Sequence, residues 1–231
     1  MAGKAAATRL ERGERGTRIY LELLDRIRRG AVGADERLVD TVLAEEMEVS
    51  RMPVREALLR LVHEGYLVGT TRGFVLPRLT PQDMADIFEI RRLLEPRAAA
   101  TAAAALDAAG LAGLEVAYAA ARTAMAQDDA TGFIEANRRF RQAWLEAAPN
   151  RRLAATLFRF VDHVQITRNA TLYDPATREV AMRLLDELIA DFRRRDALGV
   201  QDVMARFVAR AQESFLALQP TTDSTQRQGL G

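Results

Sequence analysis

Cysteine is absent from this sequence. That excludes a disulfide framework, a thiolate metal site and a cysteine nucleophile together. Histidine is scarce as well: there are 2, His63 and His163, too few for a multi-histidine metal site within one chain. No apolar run reaches the roughly 20 residues of a membrane span, and the opening MAGKAAATRL lacks the apolar core of a signal peptide. The chain is therefore read as cytoplasmic and off the membrane. An excess of charge is missing too, since 33 Lys and Arg stand against 32 Asp and Glu, so bulk charge says nothing for a polyanionic partner. There is no P-loop, no G-x-G-x-x-G and no H-E-x-x-H, and the pair Asp128-Asp129 reads as a solvated turn. Together these argue against an enzyme.

What is present is the balance of a soluble globular protein, with 48% hydrophobic and 28% charged residues over 231 positions, enough for two domains. Residues 1–15 read as a flexible basic arm carrying Arg9, Arg12 and Arg15. From Thr17 to Arg29 the residues Ile19, Leu23, Leu24 and Ile27 recur at helical spacing, and Gly30 ends the run. Asp40 is placed to cap a second short helix with Leu43, Ala44 and Met47. Ser50 is placed to cap a third, whose apolar face is Val54, Ala57, Leu58, Leu61 and Val62. Gly65 stops it. Tyr66–Val68 and Phe74–Leu76, joined by a turn ending in Arg72-Gly73, read as a hairpin.

Thr80-Pro81-Gln82-Asp83 carries a capping threonine, proline at the first helical position and a carboxylate three residues after the cap. Helical period then continues to about Leu218. Breaks are expected near Gly110, from Asp128 to Gly132, at Pro149-Asn150 and at Asp174-Pro175. The alanine run from Ala98 to Ala109 favours a packed helix over disorder, and Pro96 is expected to kink it. The domains expected are thus a winged helix-turn-helix over 16–79, an all-helical domain over 80–219, to which the resemblance given below adds effector binding and dimerisation, and a disordered tail over 220–231. The fold class is mainly α: three helices plus a β-hairpin, then an all-α bundle.

A helix lying in the major groove needs a short loop before it, and long donors opposite its core stripe. Arg51 and Arg55, four residues apart, share the face opposite Val54, Leu58 and Leu61, where each can grip guanine O6 and N7 or a phosphate. Arg72 at the hairpin tip suits a minor-groove or backbone contact. One such arginine alone is more often a plain surface residue; the assembled order of helices and hairpin favours DNA.

The stretch EVSRMPVREALLRLVHEGYLV followed by TRGFVLP resembles the signature of GntR-type bacterial regulators over residues 17–78. The resemblance implies DNA contact for Ser50, Arg51, Met52, Pro53 and Arg55 at the start of the recognition helix, and for Arg72 and Gly73 in the wing. Met52 departs from the small hydroxyl residue usual at its position. FEIRRLLEPRAAATAA, FIEANRRFRQAWLEAAPN and the run from Leu184 to Arg210 resemble the helical FCD domain of the FadR branch, over roughly residues 82–216.

Many members of that branch hold a divalent metal on an aspartate and three histidines. Matching segments place those ligands at Asn137, Arg141, Leu185 and Phe207, none of which can serve as the expected ligand, so no metal and no other cofactor is expected. Two readings stay open. Arg141 takes the metal's place as the cation that receives an anionic effector, with Asn137 one turn below and Leu185 and Phe207 as an apolar wall. Alternatively, the pocket has closed into ordinary core and Arg141 snorkels to the surface. His163, beside Phe160 and Val164, is either a satisfied core histidine or a pocket residue. The resemblance also implies Arg91 and Arg168 as pocket arginines, although spacing alone puts them on helix surfaces. The function expected is a DNA-binding transcription regulator, a repressor relieved by a small acidic metabolite. The alternative is a constitutive regulator that senses nothing. The expected partners are an inverted-repeat DNA operator, a small anionic effector and a second copy of the chain.

Overall fold

The computed structural model of the chain describes the backbone of residues 2–217 other than Ala34. Side chains are described for residues 15–160 and 171–217, apart from Ala34 and Arg159. The expected tail lies outside the described residues. Packing divides the chain into two units, Met1–Ile87 with Ala155–Ile166, and Phe88–Ala154 with Thr167–Gly231.

The first unit opens with α1 (Ala2–Arg28), α2 (Asp40–Glu46) and α3 (Arg51–His63), followed by β1 (Val68–Thr70) and β2 (Gly73–Val75). The expected flexible arm differs here: from Ala2 the backbone is helical and continuous to Arg28, in keeping with a segment rich in the strong helix formers Ala, Arg and Glu. Ile19, Leu23, Leu24 and Ile27 of α1 meet Leu43 and Ala44 of α2 and Val54, Ala57, Leu58 and Leu61 of α3 in one buried core. These are the apolar stripes that helical spacing picked out; Met47 and Val62 pack at its margin. The strands are antiparallel in the register Val68↔Val75, Gly69↔Phe74 and Thr70↔Gly73. Pairing therefore begins at Val68, after Tyr66 and Leu67 have entered the core instead of the hairpin. Tyr20 Oη donates to Glu64 at 2.5 Å, and the Arg60 guanidinium lies 3.8 Å from the Tyr20 ring centre, tying α1 to the end of α3. Burial, then the bond to Glu64, pushes the Tyr20 hydroxyl up to about 12.

The second unit is built from α4 (Pro81–Ala105), which starts in the first unit, with α5 (Ala108–Ala126), α6 (Ala130–Ala147), the two ends of α7 (Arg151–Leu172), whose middle belongs to the first unit, α8 (Pro175–Arg194) and α9 (Ala197–Ala217). The capping box ahead of α4 forms as expected: Asp83 N donates to Thr80 Oγ1 at 3.1 Å and Thr80 N to Asp83 Oδ2 at 2.8 Å. The helix runs on through Pro96 to Ala105, and Ala98, Ala99, Ala100, Ala102 and Ala103 are buried. Five successive helices then start the same way. Side chains of Asp107, Asp129, Asn150, Asp174 and Asp196 accept from Gly110, Gly132, Leu153, Thr177 and Gly199 N at 2.7–3.1 Å. The first break consequently falls at Leu106-Asp107, and Gly110 belongs to the first turn of α5.

A further break, at Arg195-Asp196, has no glycine or proline to announce it, because Arg195 itself takes the left-handed conformation at φ 54°. Phe140 meets Phe192 edge-on at 6.2 Å and Phe88 meets Phe215 at 5.9 Å, joining α6 to α8 and α4 to α9. Between α5 and α8, Arg193 grips Glu115 with two bonds of 2.7 Å.

Candidate nucleic-acid interface and effector site

The N-terminal end of α3 is exposed. The Arg51 and Arg55 side chains are 57% and 48% exposed, and Met52 is 60% exposed, so all three can be met by a partner from outside. Pro53 is not: it is buried in the first turn, which corrects its expected contact with DNA. Proline is tolerated there because that turn's N–H groups have no intrahelical acceptor. Ser50 occupies the N-cap position with extended backbone, φ −70° and ψ 153°, but its side chain makes no cap bond, a second correction.

A third concerns Asp40. The N-cap of α2 is Val39, and Asp40 is the first residue inside the helix. Its buried carboxylate is thereby free to accept from Arg51 Nε at 3.1 Å and Arg55 Nη1 at 3.2 Å, both on Oδ2. Burial pushes the carboxyl up, yet hydrogen bonds from the two arginines outweigh it and hold it below its ordinary value.

The hairpin is fixed to the rest of its unit by Leu38, which exchanges backbone hydrogen bonds with Phe74 at 2.8 and 2.9 Å. This brings the Leu38 carbonyl against Gly73, where a Cβ would lie 2.8 Å from that oxygen, and Gly73 has φ 131°. Glycine is demanded by the fold at this position, whatever it does to DNA. Arg72 is exposed at the tip, and Thr70 Oγ1 accepts from Arg72 N at 3.3 Å. Arg37 and Arg78 line the same open flank as Arg72, Thr70 and Thr71. Sequence reading missed these two cations, because one precedes α2 in a loop and the other follows β2, with only the fold to bring them together.

In the helical unit Asn137, Arg141, Leu185 and Phe207 are all buried, Arg141 to 7% exposure. Arg141 therefore does not snorkel. Phe207 lines a narrow pocket of about 20 Å³ between the end of α7, α8 and α9, with Thr171, Thr177, Leu184, Arg210 and Ser214, while Asn137, Arg141, Leu185 and Arg91 are not on its wall. Arg91 is fully buried on α4, contrary to the surface placement that spacing alone implied, and faces an equally buried Glu95. Both Nη groups of Arg91 and Oε2 of Glu95 have no hydrogen-bond partner. A further buried arginine, Arg178, is accounted for: it donates to the carbonyls of Leu172 and Tyr173 at 3.1 and 2.8 Å and pairs with Asp128. Neither Glu95 nor Arg178 was legible as an interior residue. His163 and Arg168 lie on α7, and their side chains are outside the described residues.

Two family models match the chain: that of the gntR family of bacterial regulatory proteins over residues 15–73, and that of the FCD domain over residues 86–210, more than half of the chain. The chain belongs to the gntR family, with an FCD domain. As a gntR-family regulator it has relatives that include the gluconate operon transcriptional repressor of Bacillus subtilis, 37% identical over 86 residues, 37% of this chain and 35% of the relative. The regulator McbR of Escherichia coli is 36% identical over 115 residues, 49% of this chain and 52% of McbR. The aligned stretches thus span about a third to a half of the length of these relatives. The solved structure of E. coli McbR/YncC superposes with a TM-score of 0.78 at 25% identity, covering 88% of this chain and 97% of that one. A gntR-type structure from Rhodococcus sp. RHA1 shares the fold, with a TM-score of 0.73 at 18% identity over 90% of this chain and 100% of that one.

Membership in a family of regulatory proteins sets the enzyme reading aside. The metal that many FCD domains hold does not fit the residues present. At the matching positions a buried guanidinium, an amide and two hydrocarbon side chains replace anionic and imidazole donors. Among the described residues, no group of three or more His, Asp and Glu is placed to hold a metal ion, and no helix is long and apolar enough to cross a membrane.

Proposed function

We propose that this gntR-family chain is a transcription regulator that binds duplex DNA sequence-specifically, with α3 entering the major groove and the hairpin contacting the backbone beside it. The observation that carries the reading is the pair Arg51 and Arg55, half-exposed on one face at the start of α3. Arg37 and Arg72 along the wing supply cations suited to phosphate contacts, while Arg78 on the same flank pairs with Asp35 at 2.5 Å. Ser50, Met52 and Gly73 complete the contact surface. A relative named as a repressor supports repression as the outcome.

One winged unit covers a few base pairs, so the regulator acts as a two-fold dimer on inverted half-sites. Sequencing the DNA that the purified protein selects from a random pool tests the whole reading. A short inverted repeat is expected, and Arg51→Ala or Arg55→Ala should cost about 1–3 kcal/mol on it. Recovery of no preferred sequence, or wild-type affinity in both variants, sinks it.

The helical unit is proposed to receive a small anionic effector with an apolar body. Arg91, whose outer N–H groups are buried without acceptors, favours this over a closed, unresponsive core. Arg141 and Asn137 are buried polar side chains and Leu185 and Phe207 buried apolar ones; these four, with His163 and Arg168, join the proposal as one site by resemblance alone. A thermal-shift screen of acyl and aromatic acids is the test, since a specific ligand stabilises by mass action. Arg141→Ala, or Arg91→Met together with Glu95→Leu, should abolish the shift and leave operator binding intact. A screen without a single hit favours the constitutive alternative.

A further inference from the structure

Resting on the reading of α3 as the DNA-recognition helix, a second role emerges for its neighbour α2. Asp40 is an acidic residue buried beside a surface proposed to meet a polyanion, where a carboxylate repels phosphate and costs desolvation. Its side chain, 7% exposed, lies against α3 and touches two of the residues that matter there. Arg51 uses Nε and Arg55 uses Nη1, both on the single oxygen Oδ2. Arg51 thus keeps Nη1 and Nη2 unengaged by Asp40, and Arg55 keeps Nη2 and Nε. Each set is a two-pronged donor of the kind that matches guanine O6 and N7.

We infer that Asp40 is a specificity-determining positioning residue, which holds Arg51 and Arg55 in place as base readers and withdraws them from indiscriminate phosphate binding. The contact acts on both sides of the comparison. Long, freely rotating arginines lose rotamer entropy when they are fixed on a base edge; two already held by a carboxylate lose less, which favours the operator. Their combined charge is also partly neutralised, which weakens attachment to any phosphate backbone. The ratio of specific to non-specific affinity therefore rises from both ends. A lock that simply silenced the arginines would occupy both prongs of each, whereas here one N–H of each is taken and about half of each side chain stays exposed. The local sequence hides this role, because an aspartate at a helix start reads as a cap.

The test compares full-length wild type with Asp40→Asn on the selected operator and on a random duplex, across a salt series. Asp40→Asn should bind the operator about tenfold more weakly. It should bind the random duplex as tightly as wild type or more tightly, with a salt slope steeper by about one. In an Arg51→Ala/Arg55→Ala background the same change should leave the ratio of the two affinities unaltered, because Asp40 acts only through those side chains. Asp40→Glu, which keeps the charge and lengthens the arm, should lower operator affinity without raising random-duplex affinity, and it carries the test if the asparagine variant does not fold. Equal losses on both duplexes, an unchanged ratio in Asp40→Asn, or a change that persists in the double-alanine background each overturn the proposal. A wild type with no sequence preference overturns the DNA-recognition reading itself; a selective wild type with an indifferent Asp40→Asn overturns this role alone.

Discussion

Arg91 Nε donates to Glu95 Oε1 at 2.5 Å across one turn of α4, with both side chains only 1% exposed. An ion pair taken out of water is favoured only when its remaining donors and acceptors are satisfied, and here both Nη groups and Oε2 are not. The Phe88 ring, 5.1 Å from the guanidinium carbon, offers the cation only partial compensation. This is an expensive arrangement for stability and a sensible one for receiving a carboxylate.

Removing one partner strands the other charge. Arg91→Ala or Glu95→Ala should each destabilise the protein by about 3–5 kcal/mol, whereas Arg91→Met together with Glu95→Leu should be neutral or stabilising by up to about 4 kcal/mol. Urea unfolding of the three variants checks this. A double replacement as damaging as either single one would show that the pair is structural, and would remove the main support for a ligand there.

Gly73→Ala should disable the wing. The new Cβ meets the Leu38 carbonyl at 2.8 Å, with the backbone at φ 131°. The expected cost is about 1–3 kcal/mol, together with weaker binding to operator and random DNA alike, because the wing reads backbone. Thermal unfolding and a binding titration on both duplexes measure the two effects. An unchanged melting temperature would contradict the close approach.

Glu48→Gly should stabilise the first unit. Glu48 sits in the turn between α2 and α3 at φ 51°, a conformation costly for any residue with a Cβ. Net of the extra freedom that glycine has in the unfolded chain, a gain of about 0.5–1 kcal/mol is expected. The side chain is exposed, so little else changes. A lower melting temperature for this variant would show that Glu48 makes a compensating contact.

Acid should expose the contribution of Glu135. Hydrogen bonds from Arg138 outweigh its partial burial and, with those from Arg139, hold the carboxyl at about 2, below its ordinary 4.5. A carboxyl depressed by folding stabilises the folded state fully above its unfolded value, and the contribution is lost as pH falls through the folded value. The melting-temperature difference between wild type and Glu135→Gln should therefore be largest above pH 4.5 and close as pH falls toward 2. A difference that stays constant across that window would rule out the assigned cause.

Much of the fold was legible because it is written locally. The stripe Ile19, Leu23, Leu24 and Ile27 has helical period, and those residues form the core expected of them. The Thr80–Asp83 box lies within four residues and forms as read. The repeated Asx caps at Asp107, Asp129, Asn150, Asp174 and Asp196 were equally local, and only the last break escaped, because Arg195 does a glycine's work in the turn before it.

Sequence alone therefore determined the order of elements, the apolar faces and the arginines at the head of α3, since each depends on neighbours within a turn or two. Only tertiary structure decided what those charges face. Asp40 reaches Arg55 across 15 positions of chain because α2 packs against α3. Leu38 reaches Gly73 through a strand-like bridge that no local pattern announces. Arg91, which spacing alone put on a helix surface, and Arg141, for which pocket and surface both stayed open, are buried. Burial and pairing of charge depend on the whole packing, and a linear pattern of polar residues records neither.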